Sequence, residues 1–122
     1  MNYAINDFSS LKYLVECSVW ECAQLSPEST LIVVSTKNDL REVCYWTSLF
    51  DETVEEPISK EDAIAFTKAI GAVSFIETSA MTGEGTAYFI HQLALIRHAH
   101  LKLLKNHNLI SDHTKTKKCS VQ

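Results

Sequence analysis

Glycine is scarce in this sequence: three in 122 residues, at positions 71, 83 and 85. That scarcity excludes a G-x-x-x-x-G-K-[ST] loop, whose backbone amides and lysine cradle phosphates, and no Asp-x-x-Gly segment is found either. No stretch of 18 apolar residues occurs, so no transmembrane helix is read from the sequence. The N-terminus carries neither a basic region nor an uninterrupted apolar stretch, so no signal peptide is read there. Positive charge is in deficit: the net charge is −4, which argues against a nucleic-acid binder. Cys17, Cys22, Cys44 and Cys119 show no C-x-x-C spacing and read as reduced thiols rather than disulfides or zinc ligands. Cys17 and Cys22, five apart, fall on different sides of a helix. Among the histidines, His91 and His98 are seven residues apart on one predicted helix, or roughly 10 Å. That is too far to share one ion, so no metal site is assigned.

What is present is organised by periodicity. Leu11, Leu14, Val15, Ser18 and Cys22 recur at helical spacing, which predicts an amphipathic helix over 9–25 ended by Pro27. Leu31-Ile32-Val33-Val34 reads as a buried parallel strand and delivers Thr36-Lys37-Asn38-Asp39 to its carboxyl end, where open α/β sheets bind ligands. An Asp carboxylate there can accept two N–H bonds from a purine with adjacent donors. A Lys stem can lie along the base with its ammonium in water. Ser59 with Asp62 three residues on reads as a capping box, followed by Ala63, Ile64, Phe66, Ala69 and Ile70 at helical spacing and by Gly71 as a stop. Val73-Ser74-Phe75-Ile76 is a second strand, running into Glu77-Thr78-Ser79-Ala80. The two strands and the helix between them form a βαβ unit with parallel strands. Residues 86–105 predict a last long helix with Phe89, Ile90, Leu93, Ile96 and Leu101 towards the core, and beyond Asn106 a polar tail.

Thr36-Lys37-Asn38-Asp39, Thr78-Ser79-Ala80 and the terminal Cys119-Ser120-Val121-Gln122 together resemble the Ras superfamily of small GTPases. The resemblance runs from about Tyr3 onward and covers the second half of the family's domain. It implies an α/β fold: part of the P-loop NTPase (small GTPase) architecture over 1–106, with parallel strands and flanking helices, then a polar, basic tail over 107–122. It implies GTP or GDP as ligand, with Thr36, Lys37, Asp39, Leu40, Ser79 and Ala80 at the nucleotide. Asp39 would read the guanine, and the Ser79-Ala80 backbone would offer N–H groups to the base's oxygen. Mg²⁺, the phosphate grip and hydrolysis belong to segments this sequence lacks, so they are expected only of a longer form. A few hydrogen bonds to one base, each about 0.5–1.5 kcal/mol net and up to about 3 for charged groups, leave millimolar affinity after the cost of association. Tyr3 to Leu11 looks like the family's fourth strand entering its third helix. Met1 thus falls inside an element rather than a linker, which reads as a truncated chain.

The connection from Arg41 to Ile58 is longer than a βα turn needs. An extra segment at this point marks the Rho subfamily, and Asp39-Leu40-Arg41 before it, Pro57-Ile58 after it and Met81 are also Rho-like. Its Tyr45, Trp46, Leu49 and Phe50 followed by Asp51, Glu52, Glu55 and Glu56 suit either a helix covering the flank or a partner-binding surface. Ser35 stands where the family has glycine, which would crowd the turn. The terminal box predicts prenylation of Cys119 by a prenyltransferase, with Gln122 favouring farnesyl. Lys115, Lys117 and Lys118 supply the second signal for an anionic membrane, about 1 kcal/mol each. The resemblance therefore implies a Rho-type, GTP-binding switch held at the cytoplasmic face of a membrane, with Rho regulators and effectors as partners. The competing reading is a prenylated interaction module that binds those partners without nucleotide.

Overall fold

The computed structural model describes the backbone of residues 1–119 and the side chains through 106. The prenylation box and Lys115, Lys117 and Lys118 therefore lie outside the described side chains. The chain forms two compact units, 1–89 and 90 onward. In the first, strands β1 (Asn2–Ala4), β2 (Ile32–Thr36) and β3 (Ser74–Glu77) form one sheet in the order β1-β2-β3. Both pairings are parallel, with Tyr3 opposite Ser35 and Val34 opposite Ile76.

Between β1 and β2 the expected helix is present but not uniform. It runs as α1 (Phe8–Tyr13), a π-helical stretch (Leu14–Ser18) and α2 (Val19–Leu25). Asp7 caps its start, with its carboxylate accepting the Ser10 N–H. In the middle, the Val19 N–H reaches back to the Leu14 carbonyl, and this i→i+5 bonding widens the turn by one residue. Cys17 and Cys22 are both half-buried. Leu14 is buried while Val15 is left exposed.

The long connection after β2 holds a helix of its own, α3 (Arg41–Phe50). The capping box beyond it forms as read. The Ser59 hydroxyl accepts the Asp62 N–H at 3.1 Å and donates to the Asp62 carboxylate at 2.7 Å, opening α4 (Lys60–Ala69). Gly71, at φ 71°, ends that helix. Ala63 and Thr67 of α4 are buried, and Tyr3, Leu14, Val33, Ile58 and Ala63 make the core on one face of the sheet. Burial drives this assembly. It also leaves two hydroxyls in the core, on Tyr3 and Ser35, without a well-formed hydrogen bond. Ser35 sits inside β2, so its crowding falls on the core and not on the turn.

The last helix, α5 (Thr86–Cys119), extends well past the expected stop at 105. No glycine or proline interrupts residues 86–119, so nothing terminates the helix where the polar residues begin. The expected inward face is not buried either. Ile90 is 65% exposed, Leu93 43% and Leu101 39%, while Phe89 and Ile96 are half-buried.

Candidate functional site

The carboxyl ends of β2 and β3 are stitched together through their loops. The Ser35 carbonyl accepts both the Thr78 N–H at 2.8 Å and the Thr78 hydroxyl at 3.0 Å, and the Asn38 N–H donates to the Thr78 carbonyl at 3.1 Å. Lys37 takes the left-handed conformation at φ 61°, a conformation that costs a residue with a Cβ about 1–2 kcal/mol. That reversal starts the single 3₁₀ turn Asn38–Leu40, closed by the Leu40 N–H on the Lys37 carbonyl at 2.9 Å. Backbone strain of this sort clusters at binding sites.

Asp39 and Ser79 meet directly. The Ser79 hydroxyl donates to Asp39 Oδ1 at 2.5 Å and accepts the Thr82 N–H at 3.2 Å. Ser79 is fully buried, so one carboxylate oxygen of Asp39 is held from below. Among the described residues no hydrogen bond to the second is found. The backbone N–H of Ser79 is taken within the chain by the Glu84 carbonyl at 3.0 Å, and the Gly83 N–H returns to the Ser79 carbonyl at 2.9 Å. The Ala80 N–H has no such partner among the described residues. Of the two amides expected to face a base, only Ala80 is left free for it.

Gly85 makes this closed loop possible. A Cβ there would collide with the Glu77 carbonyl oxygen, and its φ of 71° suits glycine. The dense turn chemistry of Thr82-Gly83-Glu84-Gly85 was the available signal. Thr82 and Gly85 are positions to which sequence reasoning gave no role, and Thr78 was read only as part of its motif. Arg41 was read only as a family mark, yet it ties the site to the rest of the domain. Its guanidinium donates to Asn38 Oδ1 at 3.2 Å, to the Ile58 carbonyl at 2.7 Å and to Glu77 Oε1 at 2.5 Å. Lys60 reaches the other Glu77 oxygen at 3.2 Å.

These loops open onto a cleft of about 780 Å³ on the sheet face away from the core, lined in part by Val34, Thr36, Lys37, Asp39, Leu40 and Ala80. Five of the six residues expected at a nucleotide thus share one cavity, and Ser79 lies directly beneath it. The floor is mostly apolar, with Met1, Val34, Met81 and Phe89 among its residues, which suits a flat aromatic ligand fixed by a few polar groups. Across the sheet the Tyr3 phenol is pushed up to about 12, chiefly by burial, with the Arg41 guanidinium and the Ser35 hydroxyl acting against it. The phenol therefore stays neutral and plays no acid–base part near pH 7. Among the described residues no group of three or more His, Cys, Asp or Glu is placed to hold a metal ion.

Fold and cleft together define an open parallel α/β domain with a cleft at its strand ends, where such sheets bind ligands. A sequence profile of the Ras family matches residues 1–98. The GTP-binding protein RHO2 of Saccharomyces cerevisiae is 31% identical over 85 residues, which cover 70% of this chain and 43% of that protein. The chain belongs to the Ras family, and its three-stranded sheet with flanking helices is part of the small GTPase fold. It spans less than half the length of that curated relative.

Proposed function

We propose that this chain carries the guanine-reading part of a Rho-type GTP-binding switch. The observation that carries the reading is the Asp39 carboxylate, fixed by the buried Ser79 hydroxyl at the mouth of an apolar cleft. A carboxylate held this way needs no reorganisation to accept the two adjacent N–H donors of guanine, and adenine presents no such pair. The free Ala80 N–H would meet the base's oxygen, and the Lys37 stem would lie along its ring. Rejection of adenine follows from chemistry as much as from attraction, because its site-facing acceptor would oppose Asp39 and leave a partly buried carboxylate unpaired. Phosphate and Mg²⁺ contacts would come from residues outside this sequence. When bound in a longer form, the metal would offset phosphate charge.

The same reading includes GTP or GDP as ligand, Rho regulators and effectors as partners, and a prenyl group on Cys119. With Lys115, Lys117 and Lys118, that group would hold the protein at the cytoplasmic face of an anionic membrane. Incubation with a prenyltransferase and farnesyl diphosphate tests the anchor: one farnesyl mass is gained by the chain and none by Cys119→Ser. The base is tested by titrating guanosine, GDP and adenosine into the ¹⁵N-labelled chain. Guanosine and GDP should shift the Lys37, Asp39 and Ala80 amides with millimolar affinity, and Asp39→Asn should abolish the response. Equal shifts with adenosine, or an unaltered response in the Asn variant, would sink the reading.

A further inference from the structure

Helix α3, which continues from the 3₁₀ turn, is turned inside out. Its half-buried positions are Arg41, Cys44 and Ser48. Its apolar side chains face water: Val43 and Trp46 are 60% exposed, Leu49 53% and Phe50 87%. Val43, Trp46 and Phe50 follow one another at i, i+3 and i+7 and so share a stripe. An amphipathic helix ordinarily buries such a stripe, and none of this one is buried. A contiguous exposed apolar face of this kind marks an interaction surface.

The surroundings of the stripe say what would cover it. A cleft of about 690 Å³ opens beside it, lined among others by Glu42, Tyr45, Trp46, Glu56 and Glu61. The two cations on this cleft are committed, since Arg41 and Lys60 both pair with Glu77. Glu42, Glu56 and Glu61 make no ion pair among the described residues. From 41 to 62 the chain carries seven acidic residues against two basic ones, a net −5, compared with −4 for the whole chain. The negative charge of the protein is thus concentrated here. The Thr53 hydroxyl and N–H, at 2.6 and 2.9 Å, hold the Asp51 carboxyl below its ordinary value. The Tyr45 and Trp46 rings meet edge to face, centroids 5.7 Å apart, and offer π faces beside the carboxylates.

We propose that α3 and its cleft dock a basic amphipathic helix of a partner protein. Its apolar stripe would cover Val43, Trp46 and Phe50, and an arginine would enter between the Tyr45–Trp46 pair and Glu42 and Glu56. Arginine fits better than lysine, because its planar guanidinium both stacks on rings and forks onto carboxylates. A second copy of this chain is excluded as occupant by charge, since it would bring an equal acidic field to the same place. The surface shares no lining residue with the sheet-end cleft, so the inference does not depend on nucleotide.

The test uses the 122-residue chain and three fluorescent helical peptides of about 18 residues, or five turns. One carries leucines at 3–4 spacing with flanking arginines, the second has glutamate for every arginine, and the third has serine for every leucine. The first should bind, and each of the others should bind at least about tenfold more weakly. Trp46→Ala and the pair Glu42→Lys, Glu56→Lys should each weaken the first peptide about tenfold or more. Glu28→Lys, a charge change on a distant loop, should leave it within about twofold. Equal binding of the three peptides would overturn the proposal, as would full binding by Trp46→Ala with native circular dichroism. A concentration-dependent dimer that vanishes in Trp46→Ala would overturn it too, by assigning the surface to a second copy.

Discussion

The sheet-end cleft and the cleft beside α3 are built on opposite plans. At the sheet end, polar atoms are organised by backbone: a left-handed Lys37, a carbonyl shared by two Thr78 donors, and a buried Ser79 that fixes Asp39. Along α3, side chains stand out from a helix that buries none of its own apolar residues. The first arrangement suits a small rigid ligand, which rewards atoms placed in advance. The second suits a macromolecule, which rewards area and charge complementarity. One prediction separates them in general terms: substitutions at the first site disturb the fold as well as binding, and those at the second disturb binding alone.

The largest effect is expected at Gly85. Gly85→Val places a side chain against the Glu77 carbonyl at a φ that β-branched residues avoid. It should cost about 3 kcal/mol, read as a fall in the urea midpoint at unchanged slope, and should abolish the guanosine shifts with it. A neutral Gly85→Val would mean that the loop closes some other way.

Next is a pH effect from the core that supports both clefts. The Tyr3 phenol ionises at about 12 in the folded chain against 10.0 ordinarily. The folded value is the higher one, so the stabilisation is fully present below pH 10 and is lost as pH rises through 12. Stability should fall by about 2–3 kcal/mol across that window. Tyr3→Phe should remove that part of the alkaline fall, which denaturant midpoints from about pH 9 to about pH 12 would check.

How legible all this was depended on whether a feature is local. The βαβ unit, the Ser59–Asp62 cap and the stop at Gly71 are decided by a few neighbouring residues, and each stands where its residue types put it. The gathering of Lys37 and Asp39 with Ala80 was legible because two short motifs end adjacent parallel strands. The π stretch at Leu14–Ser18 was not legible, since hydrophobic spacing alone does not distinguish i→i+4 from i→i+5 bonding. The outward stripe of α3 escaped for another reason. Helical spacing tells which residues share a face, and only the packed chain tells which way that face points. On α5, too, spacing tells that Ile90 and Leu93 share a face, and their exposure of 65% and 43% is known only from the packed chain.

Ser79→Ala should have a middle-sized effect. It deletes the hydroxyl that holds Asp39 and caps the Thr82 N–H, at about 1–2 kcal/mol of stability. If Asp39 is useful because it is held, guanosine affinity should fall by more than the lost stability explains. Saturating titrations in the cold, at about 10 °C, where stability is near its maximum, would isolate that part. An unchanged affinity would mean that Asp39 orients itself on the ligand.

The smallest effect is the most informative about α3. Phe50→Ser removes the most exposed aromatic of the stripe, and burying nothing, it should change stability by no more than about 0.5 kcal/mol. A side chain left in water for no reason would be expected to gain solubility and lose nothing else. A side chain kept for a partner should leave the denaturation curve and the guanosine shifts as they were while weakening the arginine–leucine peptide. A destabilisation of about 2 kcal/mol instead would show that Phe50 is packed in solution. The contrast between the two clefts would then collapse, because both would be part of the same folded core.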